Sequence, residues 1–206
     1  MARRDRIELG MAVLTAVVHV LPLERWYPEL AEIVVLAGGW LGYLGYLAAR
    51  DRQRLAEMGF RREGALGATI FALGVLASGT LVMGAYGVAA GTLRMHPQHM
   101  AILATLYPIW GWVQQWLVLG IFARQLRRSL SAPLVVVLTA AMFGALHLPD
   151  VTLAAGTLTL GLLLTPIYLR YGNLWPLGVA HGWLAIPMYF WVRGVDPWSE
   201  VTAAAG

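Results

Sequence analysis

Few side chains in this sequence could carry out chemistry inside an apolar environment, and they are amides and histidines. Gln114 and Gln115 stand side by side in the apolar stretch YPIWGWVQQWLVLGIFARQLRR. His147 ends the motif FGALH, and His181 begins the motif HGWLA. Polar residues within apolar segments are functional candidates by default, because burying them is costly. These four side chains predict one shared buried site, although separate hydrogen bonds between helices would also explain them.

The spacing around the two histidines places other residues beside them. Phe143 and His147 are four residues apart, so they share one face of a helix. Pro149 follows and is predicted to end or kink that helix, which would leave room for water or a ligand. Gly182 would allow the backbone of another helix to approach, and Ala185 lies on the same helical face as His181.

Histidine pairs also raise the question of a metal ion. His147, His181 and one glutamine carbonyl could hold a divalent metal, although an amide oxygen is a weak substitute for histidine, cysteine or carboxylate. The sequence has no cysteine, which excludes disulfides and cysteine-ligated metal sites. His19 is expected to pack against a neighbouring helix. The loop RMHPQHM, which contains two further histidines at positions 96 and 99, is expected to be a solvated loop.

The composition predicts that these residues are positioned by membrane helices. Of the 206 residues, 59% are hydrophobic and 13% are charged, whereas a soluble domain carries about 25% charge. The chain is therefore expected to be a single integral membrane domain over residues 1–206, an all-α polytopic transmembrane bundle of about seven spans. The apolar segments cover residues 9–23, 30–49, 65–90, 101–123, 132–148, 152–169 and 173–192.

The arginines give these segments an orientation. If the N-terminus is cytoplasmic, 12 of the 15 arginines lie on the cytoplasmic side, and only Arg25, Arg94 and Arg193 lie outside. Arginine collects in cytoplasmic loops, so this split predicts a cytoplasmic N-terminus. The basic segment RDRQRLAEMGFRREG is expected to contact lipid headgroups, and no nucleic-acid partner is expected.

The order of the three motifs resembles the CAAX protease and bacteriocin-processing family of intramembrane endopeptidases. This family is also called the ABI or type II CAAX prenyl endopeptidase family. Its motifs are Glu-Glu-x-x-x-Arg, Phe-x-x-x-His and His-x-x-x-Asn, and here QQWLVLG, FGALH and HGWLA occupy these places over about residues 100–192. The resemblance implies a location in the bacterial inner membrane. It also implies a catalytic set at Gln114, Gln115, His147 and His181, with substrate contacts at Phe143, Trp183 and Ala185.

The departures from the family pattern fall on the chemistry. Both glutamates are glutamines, Leu119 stands at the arginine and Ala185 at the asparagine. An amide has no titratable proton near neutral pH, so it cannot act as the general base that such hydrolysis needs. The absence of the arginine is consistent with the absence of the two glutamates, because a buried arginine without a charge partner would be costly.

Three functions remain open on these residues. The first is a divergent intramembrane protease in which a histidine has become the base. The second is a non-hydrolytic protein that binds a hydrophobic peptide or a lipid-like ligand in the same cavity. The third is a different membrane enzyme in which His147 and His181 hold a metal or cofactor. The residue chemistry favours reduced or absent classical proteolysis.

Overall fold

The computed structural model describes residues 3–20 and 29–204, and the regular elements in these ranges are all helices. Two π-helical segments continue α5 and α9 without a break, and we call them the first and second π segments. In chain order the elements are α1 Arg3–Val20, α2 Glu29–Arg50, α3 Arg52–Glu57, α4 Ala65–Ala90, α5 Pro97–Gln115, the first π segment Trp116–Ala123, α6 Arg124–Leu126, α7 Ala132–Ala145, α8 Val151–Tyr171, α9 Trp175–Pro187, the second π segment Met188–Arg193 and α10 Pro197–Ala204.

The predicted all-α class is confirmed over the described residues. Each of the seven apolar segments is largely helical in the part that is described, and the short helices α3, α6 and α10 lie between or after them. Residues 21–23 of the first segment, and Arg25 of the arginine count, lie outside the described residues. Among the described helices, α4 and α8 are long and apolar enough to cross a membrane.

The surface of α4 shows what environment the bundle requires. Leu66, Leu81 and Val82 are each more than two-thirds exposed, at 77%, 74% and 69%. A soluble monomer rarely exposes a large continuous apolar patch, whereas a lipid-facing helix must expose one. This apolar surface therefore favours a membrane over water as the surroundings of α4.

Helices α5 and α9 approach each other closely because three glycines lie at their contact. A Cβ atom at Gly111 would lie 2.4 Å from the carbonyl oxygen of Gly178. A Cβ atom at Gly182 would lie 2.5 Å from the carbonyl oxygen of Tyr107. Gly178 and Gly182 are four residues apart, which is the small-residue spacing that lets membrane helices pack backbone to backbone.

Helix α1 is held against the bundle by buried charges at its N-terminal end. Asp5 forms ion pairs with Arg54 at 2.5 Å and with Arg128 at 2.6 Å, and Glu8 also pairs with Arg54. Tyr43 of α2 donates a hydrogen bond to Glu8 at 2.6 Å. Burial alone would raise the pKa of Asp5, but the hydrogen bonds from the two arginines outweigh it and hold that pKa well below its usual range.

The close contact at these glycines predicts that adding one methyl group there destabilises the protein. Gly182→Ala should lower the free energy of unfolding by about 1–3 kcal/mol, because the new Cβ would overlap the backbone of Tyr107. Gly74→Ala is the matched control, since an added Cβ there meets no atom within 4 Å. Thermal unfolding in detergent, followed by circular dichroism, measures both. Equal unfolding temperatures for the two variants would contradict the close contact.

Candidate functional site

The centre of the site is a buried hydrogen bond between α5 and α9. The side-chain nitrogen Nε2 of Gln115 lies 2.7 Å from Nδ1 of His181. Gln115 is 1% exposed and His181 is 7% exposed. With the amide nitrogen facing the ring, Gln115 donates and Nδ1 accepts, so the proton of the neutral imidazole is on Nε2. Gly111 lies one turn before Gln115, and Gly182 follows His181. The glycine contact therefore brings this pair together.

Phe143, which lies on α7, is close to both histidines. Its ring centroid lies 5.2 Å from that of His147 and 5.3 Å from that of His181. His147 follows the end of α7, and its Nδ1 lies 2.9 Å from the backbone carbonyl oxygen of Phe143. A carbonyl only accepts hydrogen bonds, so Nδ1 donates and Nε2 of the neutral ring carries the lone pair.

Gln114 points away from this pair and lines a cavity of about 470 Å³. Successive helical residues differ by about 100° in direction, which is why adjacent glutamines reach different surroundings. Phe143 and His147 also line the cavity, and its size lies within the range of about 300–1,000 Å³ that is usual for ligand pockets. The other walls come from α1, α2, α5, the first π segment and α7: Leu9, Ala12, Val13, Thr15, Ala16, Val17, His19, Val20, Leu36, Trp110, Leu117, Val118, Phe122, Met142 and Leu146.

The cavity lining is apolar and carries no carboxylate or arginine among the residues that the structure describes. Its main hydrogen-bonding side chains are Thr15, His19, Gln114 and His147. Leu119, at the place where the resembling family has arginine, is 0% exposed and packs in the hydrophobic core. An arginine at this position would be buried, whereas leucine needs no charge partner there.

Two of the predicted substrate-contacting residues lie elsewhere on α9. Trp183 is 40% exposed, and its Nε1 donates a hydrogen bond to the carbonyl oxygen of Ala104 at 3.0 Å. It lines a second apolar groove, of about 350 Å³, together with Trp112 and Trp175. Ala185 is half-buried one turn after His181. The structure therefore separates Trp183 from the cavity that Phe143 lines.

Two features of the site were not predicted from the sequence. His19, expected only to pack against a helix, lines the cavity and is close enough to His147 to interact with it electrostatically. Its position as a polar residue inside an apolar segment was the available signal. The two π segments begin directly after Gln115 and after Pro187, and π-helical turns are frequent at functional sites.

The two-histidine metal site stays a prediction. The Nδ1 atoms of His147 and His181 are both used in hydrogen bonds, and Nε2 of His181 carries the ring proton, so only Nε2 of His147 offers a lone pair to a metal. Within the described ranges, these two histidines are not part of any group of three histidine, cysteine, aspartate or glutamate residues that could hold a metal ion.

Comparison with known proteins supports the resemblance seen in the sequence. Residues 96–186 match the family model described as type II CAAX prenyl endopeptidase Rce1-like, over slightly less than half of the chain. The matched segment contains the glutamine pair, FGALH and HGWL. Comparisons with curated proteins and with solved structures give no match. The family match supports a CAAX-protease-like membrane protein.

The different surroundings of the two glutamines predict different effects on stability. Gln115→Leu should lower the free energy of unfolding by about 1–3 kcal/mol, because it leaves Nδ1 of buried His181 without a partner. Gln114→Leu, the matched control, should change it by about 0.5 kcal/mol or less, because this side chain is half-buried at the cavity wall. Chemical unfolding in detergent measures the free energy of unfolding of both variants. A larger loss for the Gln114 variant would show that the assignment of the two amides is wrong.

Proposed function

We propose, from the match of residues 96–186 to type II CAAX prenyl endopeptidases, that this membrane protein binds the hydrocarbon chain of a prenylated or lipid-like ligand. The binding site is the cavity between α1, α5 and α7. Binding takes place without the glutamate-dependent hydrolysis that the family motifs imply. The observation that carries this proposal is the uncharged lining of the cavity.

The dimensions of the cavity suit an extended chain. Along α1 its lining runs from Leu9 to Val20, which corresponds to about 17 Å at 1.5 Å per residue. Most of the lining is aliphatic or aromatic, so transfer of a hydrocarbon chain into it is favourable. His19, Gln114 and His147 supply hydrogen-bonding groups for the polar end of the ligand.

The same residues argue against the glutamate-dependent reaction. A base must take a proton from water as it attacks a carbonyl carbon, and the amide of Gln114 cannot do so. Gln115 is already bonded to His181 and is closed off from the cavity. Ala185 has no side-chain donor with which to stabilise an oxyanion. The polar groups of the site can therefore bind and orient a ligand but lack the family's means of activating water.

One observation favours a second candidate function, hydrolysis driven by histidine. Because Nδ1 of His147 donates to the carbonyl of Phe143, its Nε2 is an unprotonated base on a ring that lines the cavity. Histidine can act as a general base at neutral pH. This candidate predicts cleavage by the wild-type protein and loss of cleavage in His147→Ala.

The proposed function includes a membrane arrangement of about seven spans with a cytoplasmic N-terminus, in a bacterial inner membrane. The seven long apolar helical stretches and the arginine distribution support it.

This topology can be tested by labelling, because the chain contains no cysteine. Met95→Cys, at an exposed position before α5, should react with an impermeant maleimide added to intact spheroplasts. Arg62→Cys, exposed between α3 and α4, should react only after the membrane is opened. The opposite pattern would overturn the orientation.

A bulky residue in the cavity should weaken ligand binding. Ala16→Phe should reduce affinity for a fluorescent fatty acid and for a farnesylated peptide by about five- to 150-fold, because the added ring takes up space that the hydrocarbon chain needs and overpacking costs about 1–3 kcal/mol. Val35→Phe is the control, since Val35 is 71% exposed on α2. Fluorescence titration in detergent measures the affinity for each ligand separately. The comparison shows whether the cavity prefers a fatty acid or a farnesyl chain. Unchanged affinity for both ligands in Ala16→Phe would contradict binding in this cavity.

The same farnesylated peptide distinguishes binding from hydrolysis. The wild-type protein should bind it and leave it intact, as followed by mass spectrometry over hours. Cleavage that persists in the wild type and disappears in His147→Ala would replace the binding proposal with the histidine-driven hydrolase.

A further inference from the structure

A second cluster of side chains with possible chemistry lies outside the cavity, at the N-terminal end of α5. His96 precedes α5, His99 lies in its first turn, and Asp196 precedes α10. The continuous helix from Pro97 to Ala123 is about 40 Å long, so this cluster is at the opposite end from Arg124. The sequence predicted only a solvated loop here, because Asp196 is 97 residues from His99.

Asp196 is held in a fixed orientation by the start of α10. Its Oδ1 accepts hydrogen bonds from the backbone nitrogens of Trp198 at 3.1 Å and Ser199 at 3.3 Å. Its Oδ2 accepts from the hydroxyl of Ser199 at 3.0 Å and lies 2.6 Å from Nδ1 of His99. The carboxylate therefore performs the capping role at the helix start and still presents one oxygen to the imidazole.

The two histidines present their rings side by side. His96 and His99 are three residues apart, which places them on one face of the first helical turn. Their ring centroids lie 5.9 Å apart with an interplanar angle of 15°. His96 makes no side-chain capping hydrogen bond to α5, and it is exposed.

These three residues offer a possible donor set for a metal ion. One ligand atom from each of His96, His99 and Asp196 can be chosen so that all lie within 4.8 Å of one another. Zinc binds nitrogen and oxygen at about 2.0–2.2 Å, so tetrahedral ligand atoms are separated by roughly 3.3 Å. The three side chains would have to adjust to reach this separation, and His96 is the most exposed of them. Two imidazoles and one carboxylate are a donor set for zinc and similar transition metals, whereas magnesium and calcium prefer oxygen alone.

We propose that His96, His99 and Asp196 form a binding site for one divalent transition metal ion of the zinc class. The ion would join the start of α5 to the start of α10 and so tie the C-terminal helix to the bundle. Three protein ligands leave a fourth position for water or an external ligand. This site is independent of the cavity and of its proposed ligand.

The test uses untagged full-length protein in detergent, freed of metal with a chelator and titrated with zinc chloride by calorimetry. The wild type should bind one zinc ion per chain. His96→Ala, His99→Ala and Asp196→Asn should each weaken binding by tenfold or more, because each removes one ligand. Asp196→Asn keeps the capping interaction with α10, so a loss of binding there would come from the ligand and not from unfolding.

Two further variants make the result specific. Gln98→Ala, at an exposed position between the two histidines, should bind zinc like the wild type. His147→Ala should also retain zinc, which separates this site from the two-histidine site predicted near the cavity. The proposal is overturned if the wild type binds no zinc, or if zinc binding survives in all three ligand variants; loss of binding in His147→Ala would then place the ion near the cavity.

Discussion

The close contact of α5 with α9 is the constraint on which the rest of the site depends. Gly111, Gly178 and Gly182 remove the side chains that would otherwise hold these two backbones apart. Only at this separation can the amide of Gln115 reach the ring of His181. Hydrogen bonding in hydrocarbon then reinforces the packing, because neither polar group has water as an alternative partner.

Neutral amides suit the position between these helices better than carboxylates would. A glutamate pair at the same positions would place two carboxylates between α1, α7 and α9, and such charges require a nearby cation. Leu119 fills the family's arginine position with an aliphatic side chain inside the core. Under the proposed function, Gln114 and Gln115 keep the hydrogen-bonding shape of a paired-acid site, but as amides they cannot supply its proton chemistry.

The sequence predicted the helical class, but it could not show how the candidate site residues are arranged. Apolar segments were sufficient to predict where most of the described helices lie, because hydrophobic length is a local property, whereas only α4 and α8 among these helices are long and apolar enough to cross a membrane. Which face of α5 meets α9 is a tertiary property, so the sequence could not show that Gln115 contacts His181 while Gln114 faces the cavity. The position of His19 on the cavity wall depends on how α1 packs, and buried ion pairs such as Asp5 with Arg54 fix that packing. His99 and Asp196 are brought together by the whole fold, across 97 residues of chain.

The central claim is that a hydrocarbon chain occupies the cavity beside α1, and photochemical crosslinking tests it most directly. The purified protein would be irradiated with a farnesyl analogue that carries a diazirine, and the modified residues would be located by mass spectrometry. The account predicts adducts concentrated on cavity residues such as Val13, Ala16 and Phe122, and competition by unlabelled farnesylated peptide. Adducts confined to exposed apolar positions of α4, such as Leu66 and Leu81, without competition, would contradict it.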